Sequence, residues 1–379
     1  MKHTSTTIFM LAGEPSGDML AADIMRACAK KFGKVRWCGM GGDNMRLCGL
    51  SSSEEMSQLS IIGLGAALAS IFRLNRLADR LIAQIDQHRP DYIFTVDSKG
   101  FSVRFIQRLR RHLARQDYQP RIIHVVAPTI WAWGAGRKRS FENAFDAMLC
   151  LFPFETSLFD DKKLALAYMG HPLGWQKQRP VPNTDTFQIA LLPGSRASEI
   201  KHLLPLFLKS AQMLYLHNPK LRFLMPLLPH LRPMAEEIAA DYSHLPLTIE
   251  TTQDGVQKTL SNSHIMLAAS GTVTLEAAMA GVPGVTAYYM PFFTRVISSW
   301  LFKPHTPILP DILLGSSHYP FIFPPNLTAG ALSSALEELS ANYSEKQAEI
   351  FSASNQLRSI LTQKASYEEQ LAFALDSIL

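Results

Sequence analysis

The stretch from residue 265 to residue 285, IMLAASGTVTLEAAMAGVPGV, constrains the fold more than any other part of the sequence. It begins with an apolar run, Ile265 to Ala269, whose length suits a buried strand. The SGT turn that follows leads into a helix-forming segment, residues 272–280, rich in Ala, Leu and Glu. Gly281 suits the position after a helix, and Pro283 prevents the helix from continuing before a second apolar run. The stretch therefore predicts a strand–turn–helix–strand unit.

The turn of this unit is a candidate anion-binding site. A helix that begins at Thr272 leaves backbone N–H groups without partners in its first turn, beside the positive end of its dipole. Ser270, Gly271 and Thr272 therefore suit a phosphate group, and Glu276 one turn later could accept hydrogen bonds from sugar hydroxyls. The alternative is a turn whose Gly and Ser serve geometry alone, with Glu276 exposed to solvent, since such βα turns are common.

Length and composition favour a globular protein with two domains. The chain has 379 residues, 47% hydrophobic and 18% charged, more than one core usually organises. A formal net charge of +5 is too small to indicate nucleic-acid binding but suits an anionic ligand or membrane surface. The four cysteines form no CxxC pair, as is typical of reduced thiols in a cytosolic protein. We expect neither a signal peptide nor a membrane span, because the apolar runs are too short.

Short apolar runs, most of them followed by a polar turn and a helical pattern, repeat through the first half of the chain. The predicted strands are residues 8–12, 35–40, 92–96, 121–126, 147–151 and 166–169. Turns after parallel strands lie at the sheet edge where ligands bind. Gly13 and Ser16 lie in the first such turn, and Asp97 directly follows the third strand. Asp97 could be a general base or the N-cap of the next helix, and Gly13 could serve geometry alone.

The pattern restarts after an aperiodic segment, residues 174–186, which we interpret as a linker. Further strands are predicted at residues 188–192, 222–226 and 247–250. Ser195 and Arg196 follow the first of these, at the same predicted edge as the SGT turn. An arginine beside a helix N-terminus favours a pyrophosphate site, and the alternative for Arg196 is an ordinary surface charge.

We therefore predict an α/β protein with two Rossmann-like domains that face each other across a cleft. The first domain covers residues 1–173 and the second covers residues 187–345. Residues 346–379 are expected to form a C-terminal helix that packs back on the first domain. Residues 307–314 are predicted to be a loop, and the chain from Leu332 onward to be helical.

Two segments are more apolar than a solvated loop requires. Residues 61–72 lead into an amphipathic helix with interleaved arginines, and residues 288–303 are rich in aromatic side chains. Both are too short to span a bilayer. They could pack inside the protein or lie against a membrane surface.

The order of these motifs resembles the bacterial lipid-A-disaccharide synthase family, inverting glycosyltransferases with the two-domain GT-B fold. The matching segments are AGEPSGD at 12–18, residues 39–45, Asp97 with Phe101, PTIWAW at 128–133, FPFE at 152–155, Gly170-His171, LLPGSR at 191–196 and SGTVTLE at 270–276. They extend from residue 11 to about residue 315. The sequence departs from the family at Lys99, where proline is usual, at Ser102 and Asp311, where asparagine is usual, and at Ala66, where an acidic residue is expected. A basic residue is also expected directly after Trp133, but the first one here is Arg137.

The resemblance implies both the reaction and the roles of the residues. UDP-2,3-diacylglucosamine would be the donor, 2,3-diacylglucosamine 1-phosphate the acceptor, and a β-1,6-linked disaccharide and UDP the products. Asp97 would accept the proton of the attacking hydroxyl, while Arg196 and residues 270–272 would stabilise the leaving UDP. The other binding residues would be Ser195, Glu276, Gly13, Ser16 and Asp311.

The same reading sets expectations for cofactors, partners and location. The sequence contains no Asp-x-Asp pair, so we expect no metal and no cofactor, the UDP-sugar being the donor substrate. Acylated substrates would place the protein on the cytoplasmic face of the inner membrane as a peripheral protein. We expect no nucleic-acid partner, and a homodimer stays open.

Two alternatives remain open at this point. A UDP-sugar epimerase or hydrolase with the same fold would need no lipid acceptor. A non-catalytic homologue that binds lipid or nucleotide would explain the departures from the family.

Overall fold

The computed structural model describes residues 5–52, 54–60, 67–128, 136–176, 182, 186–251, 255–289 and 308–379. The chain divides into two compact units. The first consists of Met1–His171 together with Leu361–Leu379, and the second of Pro172–Ile360. The segment interpreted as a linker begins inside the second unit, in a 3-10 turn at Pro172–Trp175, and most of its remainder lies outside the described residues.

The described part of the first unit contains a seven-stranded parallel sheet with the strand order β3-β2-β1-β4-β5-β6-β7. The strands are β1 (Thr6–Ala12), β2 (Val35–Met40), β3 (Ser51–Ser52), β4 (Tyr92–Val96), β5 (Arg121–Val125), β6 (Ala147–Cys150) and β7 (Ala165–Tyr168). The helices are α1 (Pro15–Phe32), α2 (Asp43–Leu47), α3 (Ser57–Ser60), α4 (Ala67–His88), α5 (Lys99–Leu113), α6 (Gly136–Ala144) and, at the C-terminus, α14 (Tyr367–Ile378). All six strands predicted in this half are confirmed, with ends that differ by two residues at most.

The central strands of this sheet are buried on both faces. Ile8 to Ala12 are at most 1% exposed, as expected for parallel strands covered by helices on both sides. Helix α4 is amphipathic, and its buried side chains Leu77, Leu81 and Ile85 pack into the core. The helix therefore faces the core from Leu74 onward.

The C-terminal region is not the single helix predicted for residues 346–379, because the chain breaks at 362–366. One helix, α13 (Tyr343–Leu361), ends before the break, and α14 starts after Ser366, whose hydroxyl accepts a hydrogen bond from the N–H of Glu369 at 3.2 Å. This N-cap fixes the start of the new helix. Within the first unit, α14 packs against β7 and α1, and the Gln370 side chain donates to the Tyr168 carbonyl at 2.8 Å.

The described part of the second unit contains a six-stranded parallel sheet with the order β10-β9-β8-β11-β12-β13. The strands are β8 (Gln188–Leu192), β9 (Arg222–Pro226), β10 (Leu247–Glu250), β11 (Ile265–Ala269), β12 (Gly284–Ala287) and β13 (Phe321–Ile322). The helices are α7 (Ala197–His217), α8 (Arg232–Ala239), α9 (Gly255–Asn262), α10 (Thr272–Ala280), α11 (Leu309–Leu314), α12 (Ala329–Ala341) and α13 (Tyr343–Leu361). The strand–turn–helix–strand unit is therefore present as β11, α10 and β12.

The segment predicted as a loop at 307–314 is a short helix, α11, from Leu309. Pro310 lies in its first turn, where the fixed φ of proline suits a helix and its missing N–H costs nothing. Gly315 ends it in the left-handed region, at φ 70°. Much of the two apolar segments lies outside the described residues, namely residues 61–66 of the first and, for the second, the stretch 290–307. No described helix is both long and apolar enough to cross a membrane.

Candidate functional site

The turn after β1 lies against the turn after β4. A Cβ atom on Gly13 would lie 2.5 Å from both the Ser98 hydroxyl and a methyl group of Leu59, so a larger residue would displace these side chains. Gly13 thus has a steric role that does not depend on ligand binding. Ser16, in the first turn of α1, is exposed. Ala12 pairs with Val96, so the turn that holds Gly13 and Ser16 and the turn that starts at Asp97 leave the same carboxyl edge of the sheet, as the sequence predicted.

Asp97 is held in an uncommon backbone conformation. Asp97 and Ser98 have φ angles of 51° and 44°, and Val126, which follows the neighbouring strand β5, has 76°. Left-handed conformations of non-glycine residues cost free energy and cluster at functional sites. Helix α5 has Ser98 as its N-cap, with no side-chain capping bond, so the alternative of Asp97 as an N-cap is wrong. The Asp97 Oδ1 lies 3.7 Å from the Lys99 Nζ.

Two buried titratable groups lie behind this pair. Glu155 is 2% exposed, and its Oε2 accepts hydrogen bonds from the N–H groups of Leu151 and Phe152, each at 3.0 Å. Burial raises the pKa of Glu155 to about 7, against the opposing effects of these N–H groups and of the Lys99 charge. Burial lowers the pKa of His124 to about 3, and the Lys99 charge lowers it further. The positive charge of Lys99 therefore affects the pKa of both groups.

Asp18 has a role that the sequence analysis missed. It is buried, and its carboxylate accepts hydrogen bonds from the N–H groups of Gly42, Asn44 and Met45 at 2.7, 2.9 and 3.3 Å. These N–H groups lie at the start of α2, so Asp18 caps that helix from α1. The signal was available, because an aspartate ends the motif that starts at Gly13 and a Gly-Gly turn follows β2.

Strand register brings the turns of the second unit to one edge of its sheet. Leu192 pairs with Ala268, and Ala269 pairs with Ala287. The turns after β8, β11 and β12 therefore leave the sheet at the same level. Ser195 and Arg196 follow β8 and the SGT turn follows β11, as predicted.

The N-terminus of α7 is already capped by the protein. The Glu199 Oε2 accepts hydrogen bonds from the N–H groups of Ser195 and Arg196 at 2.9 and 3.2 Å. The Arg196 guanidinium lies 3.3 Å from Glu199 Oε1, with the arginine side chain 72% exposed. Arg196 and the Ser195 hydroxyl remain accessible, but the backbone N–H groups of this turn are satisfied.

The N-terminus of α10 differs in this respect. No described residue accepts a hydrogen bond from the N–H of Gly271 or Thr272, whereas Ser270 donates to the Ala287 carbonyl at 2.8 Å. A Cβ atom on Gly271 would meet no heavy atom within 4 Å, so this turn opens onto free space. Two unpaired donors at the positive end of a nine-residue helix suit an anion.

The two remaining predicted residues lie elsewhere in the second unit. Glu276 is half-buried one turn into α10 and borders a small cavity with Gln257 and Arg358. Asp311 is 3% exposed, burial raises its pKa, and its Oδ1 accepts a hydrogen bond from the His318 N–H at 3.0 Å. Asp311 thus braces the turn after α11 as well as being a candidate binding residue.

Tyr288 belongs to this edge too, although the sequence analysis assigned it only to the aromatic segment. It directly follows β12 and is half-buried. Burial raises the pKa of its phenol, the Glu199 charge raises it further, and the Arg196 charge opposes both. The phenol therefore lies near that ion pair. Its position directly after an apolar strand could have indicated this placement from the sequence.

The WAW segment of the family motifs, residues 131–133, lies outside the described residues.

Solved structures share this architecture. The UDP-GlcNAc 2-epimerase from Neisseria meningitidis bound to UDP-GlcNAc matches with a TM-score of 0.60 at 12% identity, over 94% of this chain and 98% of that chain. The calicheamicin glycosyltransferase matches with a TM-score of 0.59 at 15% identity, over 99% and 98%. Such low identity establishes the fold alone, which is that of the GT-B glycosyltransferases.

Sequence comparison narrows this class to one family. The family model for lipid-A-disaccharide synthetase matches residues 8–375. Lipid-A-disaccharide synthase from Alcanivorax borkumensis is 30% identical over 374 residues, covering 95% of each chain. The enzyme of that name from Burkholderia vietnamiensis is 35% identical over 341 residues, covering 86% of this chain and 85% of the relative. The protein belongs to the lipid-A-disaccharide synthase family, as its motifs predicted.

Proposed function

We propose that this protein joins UDP-2,3-diacylglucosamine to 2,3-diacylglucosamine 1-phosphate and releases UDP. The 6-hydroxyl of the acceptor attacks C1 of the donor, the bond from C1 to the diphosphate breaks, and a β-1,6 bond forms with inversion. The membership of the whole chain in the family carries this proposal, and the two sheet edges supply the chemistry that it needs.

The first unit supplies the base. Asp97 is partly exposed at the carboxyl edge of the sheet, in a backbone conformation that the surrounding hydrogen bonds maintain: its N–H donates to the Val125 carbonyl at 3.0 Å and its carbonyl accepts from the Ser102 hydroxyl at 3.0 Å. A carboxylate held in this way can accept the proton of the attacking hydroxyl. Gly13 and Ser16 follow the neighbouring strand β1 and would contact the acceptor.

The second unit stabilises the leaving group. The UDP diphosphate gains negative charge as the glycosidic bond breaks. The N–H groups of Gly271 and Thr272, for which the described residues provide no acceptor, match that charge. Donors placed where charge develops in the transition state lower the barrier by roughly 3 kcal/mol each. Arg196 and Ser195 would add a cation and a hydroxyl, while Glu276 would bind the ribose and Asp311 the donor sugar.

No cofactor is part of this proposal. The helix dipole and Arg196 would neutralise the diphosphate in place of a metal ion. Turnover that persists unchanged after dialysis against EDTA would agree with it, and activity restored only by added Mg²⁺ would contradict it.

The test is a transfer assay with radiolabelled donor and both lipid substrates. Labelled disaccharide should form only when donor and acceptor are both present, with one UDP released per disaccharide. Loss of donor without acceptor would instead indicate an epimerase or hydrolase. UDP binding without any product from either mixture would indicate a non-catalytic homologue.

We also propose that the protein acts as a peripheral protein on the cytoplasmic face of the inner membrane. Both substrates carry acyl chains, and Phe72 on α4 is 69% exposed, next to the apolar segment at 61–71. Arg80 is paired with Glu54 at 2.5 and 3.0 Å, so Arg76, which is exposed, is the better candidate for contact with anionic lipid.

Sedimentation with anionic vesicles tests the membrane proposal. Phe72→Glu should weaken binding, because it places a charge where an apolar side chain would enter the interface. Leu216→Glu is the matched control, since Leu216 is 73% exposed in the second unit and should bind as the wild type does. Equal binding by the wild type and both variants would contradict contact between Phe72 and the membrane.

A further inference from the structure

Among the described residues, Lys99 is the charged group that pairs with the proposed base. Its Nζ lies 3.7 Å from the Asp97 Oδ1, and the two side chains are 27% and 29% exposed. No other described residue forms an ion pair or a hydrogen bond with the Asp97 carboxylate. Lys99 also stands where the family resemblance predicts proline, a side chain that could make no such contact.

The backbone around this pair is fixed on both sides. The N–H groups of Phe101 and Ser102 donate to the Ser98 carbonyl, each at 2.9 Å, and the Ser102 hydroxyl donates to the Asp97 carbonyl at 3.0 Å. These bonds lock the first turn of α5 onto the end of β4. The direction of the Asp97 carboxylate then depends on what its side chain contacts.

The Lys99 charge also acts on a buried carboxyl group. Its ammonium is close enough to the buried Glu155 to lower the pKa of that carboxyl, in opposition to burial. Glu155 cannot move toward solvent, because its Oε2 is bonded to two backbone N–H groups. The Lys99 ammonium therefore pairs with the Asp97 carboxylate at 3.7 Å and acts electrostatically on the Glu155 carboxyl group.

We propose that Lys99 is a positioning residue for the base, holding one oxygen of the Asp97 carboxylate so that the other faces the acceptor hydroxyl. This inference rests on the proposed function. Lys99 takes no proton itself, since the proton of the hydroxyl passes to Asp97.

Steady-state kinetics of three variants test this role. Lys99→Met should lower kcat roughly tenfold to hundredfold, with the KM of the acceptor changed less than about twofold, because misorientation affects the reaction more than binding. Lys99→Arg, which keeps the charge, should recover most of kcat. Lys163→Met is the matched control, because it removes an exposed pair with Asp160 in the same unit at 3.3 Å and should turn over like the wild type.

A double-mutant cycle separates positioning from direct substrate contact. If Lys99 acts through Asp97, Lys99→Met should cause no further loss in an Asp97→Asn background. Losses that multiply in the double mutant would overturn the inference. A raised acceptor KM at unchanged kcat would overturn it as well, because it would place the ammonium on the substrate phosphate.

Thermal unfolding tests the arrangement without any turnover. Lys99→Met should lower Tm more at pH 8, where Glu155 is ionised, than at pH 5, where it is protonated. Cys150 and Tyr168, the other titratable groups beside Glu155, have pKa values raised by burial and stay neutral at both pH values. An equal change at both pH values would overturn the arrangement. If the wild type formed no disaccharide while Lys99→Met still showed the pH-dependent change in Tm, only the proposed function would be contradicted. If the wild type were active and Lys99→Met were equally active, only this inference would be contradicted.

Discussion

Replacement of Gly271 by alanine tests whether the N-terminus of α10 binds the diphosphate. Gly271 has an extended backbone with φ 174°, which any residue adopts, and an added Cβ would meet no heavy atom within 4 Å. Alanine is a poorer N-cap than glycine by roughly 0.5–1 kcal/mol, and the lower entropy of the unfolded chain largely offsets this cost. The free energy of unfolding should therefore change by less than about 0.5 kcal/mol.

Activity should change far more than stability. A methyl group in this space would push the diphosphate away from the two unpaired N–H groups. Hydrogen bonds to charged groups contribute about 1.5–3 kcal/mol each, so kcat/KM for the donor should fall roughly 10- to 150-fold. Steady-state kinetics with varied donor and thermal unfolding on one preparation measure the changes in kcat/KM and in stability. Calorimetry with UDP on the same preparation measures nucleotide affinity.

Gly194 provides the matched control for this substitution. It has φ 116°, and a Cβ there would lie 2.3 Å from the Glu199 Oε2, so Gly194→Ala should destabilise the fold by about 1–3 kcal/mol. If Gly271→Ala bound UDP and turned over within twofold of the wild type at unchanged Tm, the diphosphate would not lie at the start of α10.

Three further substitutions have expected effects on stability. Asp18→Ala leaves the N–H groups of Gly42 and Met45 without an acceptor and should cost about 3 kcal/mol in denaturant unfolding; a cost below about 1 kcal/mol would contradict the capping role. Glu155 has a pKa raised to about 7 from 4.5, so its protonated form stabilises the fold below that range and this contribution is lost as pH rises through it. Glu155→Gln should therefore gain stability relative to the wild type between those pH values, and a constant difference would refute the burial argument. Arg358→Ala removes donors to three backbone carbonyls and should cost about 2–4 kcal/mol, of which Arg358→Lys should recover part in the same measurement.

The sequence predicted the β11–α10–β12 unit to the residue because each boundary has a local cause. The apolar run of β11 ends at a polar turn, and Gly281 with Pro283 ends the helix. The same reasoning failed at residues 307–314, because Pro310 was taken as a sign of a loop although proline also suits the first turn of a helix. Sequence periodicity also did not predict the break after Leu361 in the C-terminal helical region.

Contacts that depend on strand order could not be predicted from sequence. Lys99, His124 and Glu155 lie far apart in the chain and come together because β4, β5 and β6 are neighbours in the sheet. The Glu199 cap was within reach of sequence analysis, because a glutamate three residues after Arg196 is a known signature of a helix start. Its omission made the turn at Ser195 look more open to phosphate than it is.

The central claim is that a carboxylate of the first unit accepts the proton of the attacking hydroxyl. Its most direct test is the rate of lipid disaccharide formation by Asp97→Asn, at saturating donor and acceptor, with UDP affinity measured on the same preparation. We expect a loss of roughly 10²- to 10⁴-fold at unchanged UDP affinity. A rate within tenfold of the wild type would contradict the assignment of Asp97 as the base.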